Sequence, residues 1–336
     1  MENSEKPQIS VVATVLNEGQ AIERLLRSLA AQTRVPDEVI IVDGGSTDGT
    51  LDSLQAWTES EELPLRVLVE AGANISRGRN VAIAEATRSV IAATDAGVRL
   101  EDGWVEALAA PFEAEGTDHF VAVVAGWFEA DPQSLFETAM GATVLPSIQE
   151  IKPEQFLPSS RSVAFRRAAW EAIGGYPEWL DYCEDLVFDL RLREFYGPAT
   201  FAPQAKVHFR PRGSLWAFFK QYYRYARGDG KADLWRQRHA IRYLTYLVAG
   251  PLLVVLALLH SPWWWLGLAV GVAAYTAQPY RRLWPRLAGY GLIDKIVAML
   301  LVPIIRVVGD VAKMIGYPAG LIWRWRNWRR SEVHWR

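Results

Sequence analysis

From Tyr243 to Tyr280, 38 residues pass without one Asp, Glu, Lys or Arg. About 20 apolar residues cross a bilayer core as a helix, so the run has the length of two spans. His260-Ser261-Pro262 falls near its middle and makes a natural turn. The expectation is a transmembrane hairpin with arms Tyr243–Leu259 and Trp263–Gln278. Its flanks are basic: Lys220, Arg224, Arg227, Lys231, Arg236, Arg238 and Arg242 before it, Arg281, Arg282 and Arg286 after it. Basic flanks stay cytoplasmic, which predicts a multi-pass cell-membrane protein with its N-terminal domain in the cytoplasm. Trp263-Trp264-Trp265 beside the turn suits an interfacial aromatic belt. The alternative is a helical hairpin buried inside a soluble protein.

Charge divides at the same place. From residue 243 onward there are 11 Lys/Arg and three acids, a net of +8. The whole chain has 36 Lys/Arg and 38 Asp/Glu, so residues 1–242 keep 25 and 35, a net of −10. Such asymmetry points to membrane or nucleic-acid contact by the C-terminal part. Membrane is the reading that two adjacent apolar spans favour, and nucleic acid is not an expected partner. In Leu292–Trp323, Arg306, Asp310 and Lys313 form a polar stripe on an otherwise apolar helix, read as an interfacial amphipathic helix. The Trp/Arg tail after it fits anionic headgroups. The expected organisation is a domain over residues 1–230, a basic linker over 231–242, the hairpin over 243–280 and an amphipathic basic region over 281–336. One cysteine, Cys183, excludes an intramolecular disulfide framework and a Cys-based zinc site. The first apolar run, Ile9–Leu16, is too short for a secretory signal.

The N-terminal half alternates short β-branched runs with helical periods. Strands are expected at Ile9–Leu16, Glu38–Val42, Leu65–Val69 and Ser89–Thr94. Helices are expected at Gln20–Ala31, Asp48–Trp57 and Ser76–Thr87, the last capped by Ser76. This alternation predicts an α/β fold with a mostly parallel sheet and flanking helices, and ligands at the carboxyl ends of its strands. Polar residues collect at those ends: Asn17-Glu18 after the first strand, Asp43 to Gly49 after the second, Asp95-Ala96-Gly97 after the fourth. One such acid is ordinarily a turn or cap residue; three clusters form a rim suited to a nucleotide. The dinucleotide fingerprint G-x-G-x-x-G and the P-loop are both absent. His119 and His239 show no partner pattern and are read as ordinary.

These motifs resemble glycosyltransferase family 2. The resemblance rests on Ile9 to Glu18, Ile40 to Thr50, Ile91 to Gly97, and Gly174-Gly175-Tyr176-Pro177-Glu178 followed by Glu184-Asp185, and covers roughly residues 8–230. It implies a GT-A fold, a nucleotide-sugar donor, inversion at the anomeric carbon and usually a divalent cation, Mg2+ or Mn2+. It implies donor contacts for Thr14, Asn17, Glu18, Asp43, Arg79, Asn80 and Asp95. It makes Asp185, beside Glu184, the general base, and Asp95 with His208 the metal ligands. The acid that normally ends the D-x-D motif is Gly97 here. Gln221 and Arg224 resemble a Q-x-x-R-W motif of membrane-bound relatives, with Tyr225 for tryptophan, and would serve the donor diphosphate. Ser159-Ser160-Arg161, Trp179 and Asp181 are expected on the acceptor side. The function implied is sugar transfer to a lipid-linked or membrane-proximal acceptor; the alternative is a nucleotide-sugar-binding membrane protein without catalysis.

Overall fold

The computed structural model describes residues 6–114 and 120–336; His119 lies outside the described residues. The chain forms two compact units. The first comprises residues 1–131 and 148–210, the second 132–147 and 211–336.

The first unit is built on an eight-stranded sheet. Its opening half follows the expected alternation: β1 (Ile9–Val15), α1 (Ala21–Ala30), β2 (Glu38–Asp43), α2 (Thr50–Ser60), β3 (Leu65–Val69), α3 (Ile75–Glu85) and β4 (Val90–Ala93). These four strands are mutually parallel in the order β3-β2-β1-β4. β1 and β2 are apolar and buried almost throughout, as strands covered on both faces must be. Alternate residues feed two cores. Val11 and Val15 join Leu25 of α1 and Leu54 of α2 on one face, and Val12 joins Ala82 and Ile83 of α3 on the other. The cap of α3 is Asn74 rather than Ser76: its side chain accepts from the Arg77 N–H, while the Ser76 side chain is buried.

Beyond β4 the expected parallel order gives way. β5 (Val98–Leu100) and α4 (Trp104–Glu113) precede β6 (Val123–Ala130). After α5 (Leu135–Val144), which belongs to the second unit, come β7 (Val163–Arg166), α6 (Arg167–Ala172), α7 (Glu184–Tyr196) and β8 (Thr200–Phe209). β7 runs antiparallel to β4 and β6, and β5 antiparallel to β8, so the sheet is mixed, β3-β2-β1-β4-β7-β6-β8-β5. The close approach of β6 to its neighbours depends on Gly126, where a Cβ would stand 1.9 Å from Ser162 Oγ and 2.5 Å from Ala205 O.

The second unit is helical: α5, α8 (Leu215–Ala232), α9 (Arg236–Leu244), a π turn at Thr245–Ala249, α10 (Gly250–Leu259), α11 (Trp264–Arg286) and α12 (Leu292–Arg326). A helical hairpin forms where the uncharged run predicts one, with its turn at His260–Trp263. Only its first arm, continuous from Arg236 to Leu259, is long and apolar enough to cross a membrane among the described residues. At 1.5 Å per residue those 24 residues reach about 36 Å, more than the roughly 30 Å of a bilayer core. The two-span expectation is corrected accordingly: the second helix extends past Gln278 to take in Arg281, Arg282 and Arg286.

The polar stripe of α12 is engaged by neighbouring helices. Asp310 accepts hydrogen bonds from Arg242 Nε at 2.7 Å, from Tyr246 at 3.2 Å and from Tyr275. Arg306 donates to Tyr275 O at 3.1 Å, and the Lys313 ammonium lies 4.8 Å from the Tyr222 ring. The stripe thus knits helices together. His239 has a packing role as well, stacked on Tyr317 at 3.8 Å and in contact with Asp229.

Candidate active site

In the parallel half of the sheet Val15 stands opposite Asp43, and Val12 opposite Ala93, so the loops after β1, β2 and β4 emerge side by side. This common edge collects most of the predicted residues. Thr14, Leu16, Glu18, Val42, Asn74 and Gly78 border a cavity of about 210 Å3. Gly78 is required there, because a Cβ would meet Thr14 Cγ2 at 2.5 Å.

Asp43 is 1% exposed. Its Oδ1 accepts from the N–H groups of Gly45 and Ser46, both at 2.7 Å. Its buried Oδ2 has no partner among the described residues. A buried acceptor left unmet is costly, and an N–H donor such as a nucleobase edge would satisfy it. Asn17, at φ +55°, instead fastens loops: its N–H donates to Ser46 Oγ and its Oδ1 accepts from the Thr47 N–H, each at 2.9 Å.

Arg79 is 2% exposed and bridges two acids, donating to Asp95 Oδ1 at 2.8 Å and to Glu184 Oε1 at 2.9 Å. Its guanidinium lies 5.3 Å from the Tyr176 ring. Asn80, also expected at the donor, is spent on the Gly174–Glu178 loop. It donates to Tyr176 O and Glu178 Oε1 and accepts from Trp170 Nε1 and the Tyr176 N–H.

Glu184 and Asp185 open α7, immediately after Cys183 at φ +65°. Acids suit a helix N-terminus. Glu184 is buried; burial, reinforced by Asp185 and opposed by Arg79, pushes its carboxyl up to about 7. One turn on, Asp189 is buried without a partner for either oxygen among the described residues, and burial with the Asp185 charge holds it well above the usual carboxylate range. Asp185 itself is half-exposed. Trp179 and Asp181 lie in the loop that leads to it, and Asn74 Nδ2 donates to Glu178 O at 2.7 Å in the same loop.

The expected metal ligands are engaged elsewhere. His208 Nε2 meets Glu101 Oε1 at 2.9 Å. Asp95 offers Oδ1 to Arg79, and its Oδ2 lies 3.5 Å from Arg161 Nε. Residue 97 contributes no side chain. Among the described residues no group of three or more His, Cys, Asp or Glu could hold a metal ion. Cations of this class are held by one or two protein carboxylates together with substrate phosphates; Asp95 and Glu18, whose Oε2 lies 3.9 Å from where a Cβ of residue 97 would stand, are the acids that would hold one here.

Gln221 and Arg224 lie on α8 in the helical unit, where Gln221 Nε2 donates to the Tyr225 hydroxyl at 2.8 Å. Three residues of the site escaped sequence reasoning in these roles: Arg161 beside Asp95, Tyr176 beneath Arg79, and Asp189. Tyr176 sits within the quoted Gly-Gly-Tyr-Pro-Glu motif, and Asp189 falls four residues after Asp185 on the same helix. Those were the available signals; for Arg161 there was none beyond its placement on the acceptor side.

Residues 10–171 match glycosyl transferase family 2. The succinoglycan biosynthesis protein ExoA of Rhizobium meliloti is 26% identical over 313 residues, covering 87% of this chain and 90% of that protein. The N-acetylglucosaminyl-diphospho-decaprenol L-rhamnosyltransferase of Mycobacterium tuberculosis is 27% identical over 237 residues, 59% of this chain and 75% of the other. Among solved structures, the mannosyltransferase PcManGT of Pyrobaculum calidifontis, in complex with GDP-Man and Mn2+, shares the fold. The overlap covers 96% of this chain and 88% of that one, with a TM-score of 0.54 and 19% identity.

Proposed function

Given that the chain is a glycosyltransferase of the GT-A fold, with residues 10–171 belonging to family 2, we propose that it moves a sugar from a nucleoside-diphosphate sugar to the hydroxyl of a lipid-linked or membrane-proximal acceptor, with inversion. One observation carries the mechanistic part. Arg79 ties Asp95, at the end of β4, to Glu184, the neighbour of Asp185, through two hydrogen bonds of 2.8 and 2.9 Å. The strand edge that would hold the donor and the helix start that would present the base are therefore one rigid assembly, which is what in-line attack demands.

In this reading Thr14, Glu18 and Asp43 receive the nucleoside, with Asp43 Oδ2 meeting an N–H of the base. Asp185 takes the proton of the acceptor hydroxyl as the oxygen attacks. Glu184, held by Arg79, fixes the helix start and keeps a second full charge from crowding Asp185. No step is routed through a cation.

The acceptor class rests on the apolar helix Arg236–Leu259 and on the relative whose name gives a decaprenol-linked acceptor. A single span would hold the protein at a membrane. Gln221 and Arg224, just ahead of it in sequence, would serve the donor diphosphate, as the resemblance implies.

Asp185→Asn is expected to lower turnover by at least about 1000-fold while leaving nucleotide affinity within about twofold. Steady-state kinetics and calorimetry measure the two. Wild-type turnover in this variant would remove Asp185 as the base.

A further inference from the structure

Resting on the glycosyltransferase reading above, we propose that Glu18 carries the carboxylate that residue 97 lacks. A divalent cation is then held by two neighbouring loops, through Asp95 after β4 and Glu18 after β1, and only together with a nucleoside diphosphate.

Glu18 stands in the right place. Residue 97 follows Asp95 by two positions. Its backbone is not left-handed, so a side chain is permitted there. Beyond its chain neighbours, a Cβ added to Gly97 would meet one described atom within 4 Å, Glu18 Oε2 at 3.9 Å. That is ordinary contact distance. A carboxylate grown from residue 97 and the carboxylate of Glu18 would therefore share one space.

The stem of Glu18 is anchored. Its N–H donates to Thr50 Oγ1 at 3.0 Å, the Gly19 N–H donates to the same oxygen at 2.9 Å, and Glu18 O accepts from the Ala21 N–H at 2.9 Å. Thr50 is itself buried and donates to Asp48 Oδ1 at 2.6 Å. Glu18 also borders the donor cavity with Thr14 and Gly78. Asp95, for its part, has an oxygen to give. Oδ1 takes Arg79 at 2.8 Å, whereas Oδ2 stands 3.5 Å from Arg161 Nε, beyond the usual 2.7–3.2 Å of a hydrogen bond.

Two carboxylates are too few for a cation alone. A hard cation such as Mg2+ completes its shell with waters and substrate phosphates, and the Arg79 guanidinium on Asp95 repels a bare one. The diphosphate brings both the missing oxygens and the negative charge. When bound, the cation neutralises charge that gathers on the departing diphosphate. Because Arg79 also holds Glu184, the place of that neutralisation is fixed relative to the start of α7.

The test uses the full chain in detergent, with UDP and GDP as probes and uridine and guanosine as phosphate-free controls. Calorimetry in EDTA and in Mn2+ gives the factor by which the cation tightens each probe. In the wild type one diphosphate is expected to bind about tenfold or more tighter in Mn2+. The nucleosides should bind equally in both, and Mn2+ alone should keep its free paramagnetic signal. Glu18→Gln should bring the diphosphate factor down to about threefold or less. Adding Gly97→Asp to that variant should restore most of the factor, because a carboxylate then reaches the same space from the β4 side. Gly97→Asn in its place, equal in size but uncharged, should not restore it. Nucleoside affinity reports in each variant that the site is folded.

A full factor in Glu18→Gln would show that Glu18 is no ligand. Failure of Gly97→Asp to restore the factor, with nucleoside binding intact, would mean that Glu18 acts through its loop. Equal diphosphate affinity in EDTA and Mn2+ in the wild type would mean that no cation is used, and binding of Mn2+ without diphosphate would require ligands beyond these two. Each of these overturns the proposal and leaves the donor reading standing. Binding of neither diphosphate in either condition would sink both.

Discussion

Single carboxyls in this site differ in fate according to what surrounds them. Asp95 is paired with two arginines, Glu184 shares one of them, and Asp189 has none. Burial raises both Glu184 and Asp189 above their unfolded values. A carboxyl raised on folding binds its proton more tightly in the native state, so its contribution is fully present below the unfolded value and is lost as pH rises through the folded one. The melting temperature is therefore expected to fall as pH rises above about 5, and the share due to Glu184 is complete near its folded value of about 7. Asp189→Asn should flatten the fall and leave the variant more stable than wild type at pH 8. Thermal denaturation across that window checks both, and a profile that rises with pH would refute the protonated state. The sequence displayed the acids but not these differences. Asp43, Asp95 and Asp185 were legible because they end strands or begin a helix. The arginines that decide their states arrive from distant segments: Arg79 reaches Glu184 across 105 positions. The resemblance alone implies donor contacts for Arg79 and Asn80, and the tertiary partners that hold them come from segments the local sequence does not show.

Among the elements, the helix pair α8 and α12 shows most clearly what periodicity reveals and conceals. The pattern of α12 marks it as a long apolar helix, which it is. It does not reveal that glycines carry the contact. A Cβ on Gly316 would stand 2.2 Å from Tyr223 O, on Gly320 2.1 Å from Arg227 O, and on Gly230, from the α8 side, 2.3 Å from Tyr317 O. The backbones touch through small residues, as helices do when they pack closely within or beside lipid. Gly320→Ala is expected to destabilise the helical unit by about 1–3 kcal/mol through overpacking, whereas Gly271→Ala, inside α11 where a Cβ meets nothing within 4 Å, should stabilise it by up to about 1 kcal/mol. Comparing the melting of the two variants in one detergent separates packing from helix propensity. Strands β1 to β4 were readable because each is a β-branched run between polar turns. β5 to β8 were not, because they pair in an order that does not follow the chain and their partners lie far away in sequence.

For the molecule as a whole, the opposite charges of its N- and C-terminal parts now have a physical division of labour. The acidic part holds the sheet unit, and the basic, apolar part ends in helices with exposed large side chains, among them Leu247, Leu252, Leu258 and Leu259 on the candidate span. Leu252→Arg, near the middle of the uncharged stretch Tyr243–Leu259, should cost about 2.5–3.5 kcal/mol of insertion. It is expected to shift the protein from the carbonate-resistant membrane pellet toward the soluble fraction, and an unchanged distribution would argue against a spanning role. The helical unit is also discontinuous, because α5 is made between strands β6 and β7, yet packs with α11 and α12. A ribosome therefore delivers α5 well over a hundred residues before its last partner exists. Throughout that interval Ala139, Met140 and Ala142, buried in the finished protein, are without their native neighbours. Assembly of the helical unit must then await the synthesis of α12, and a chain stopped near residue 242 would leave α5 without α11 and α12.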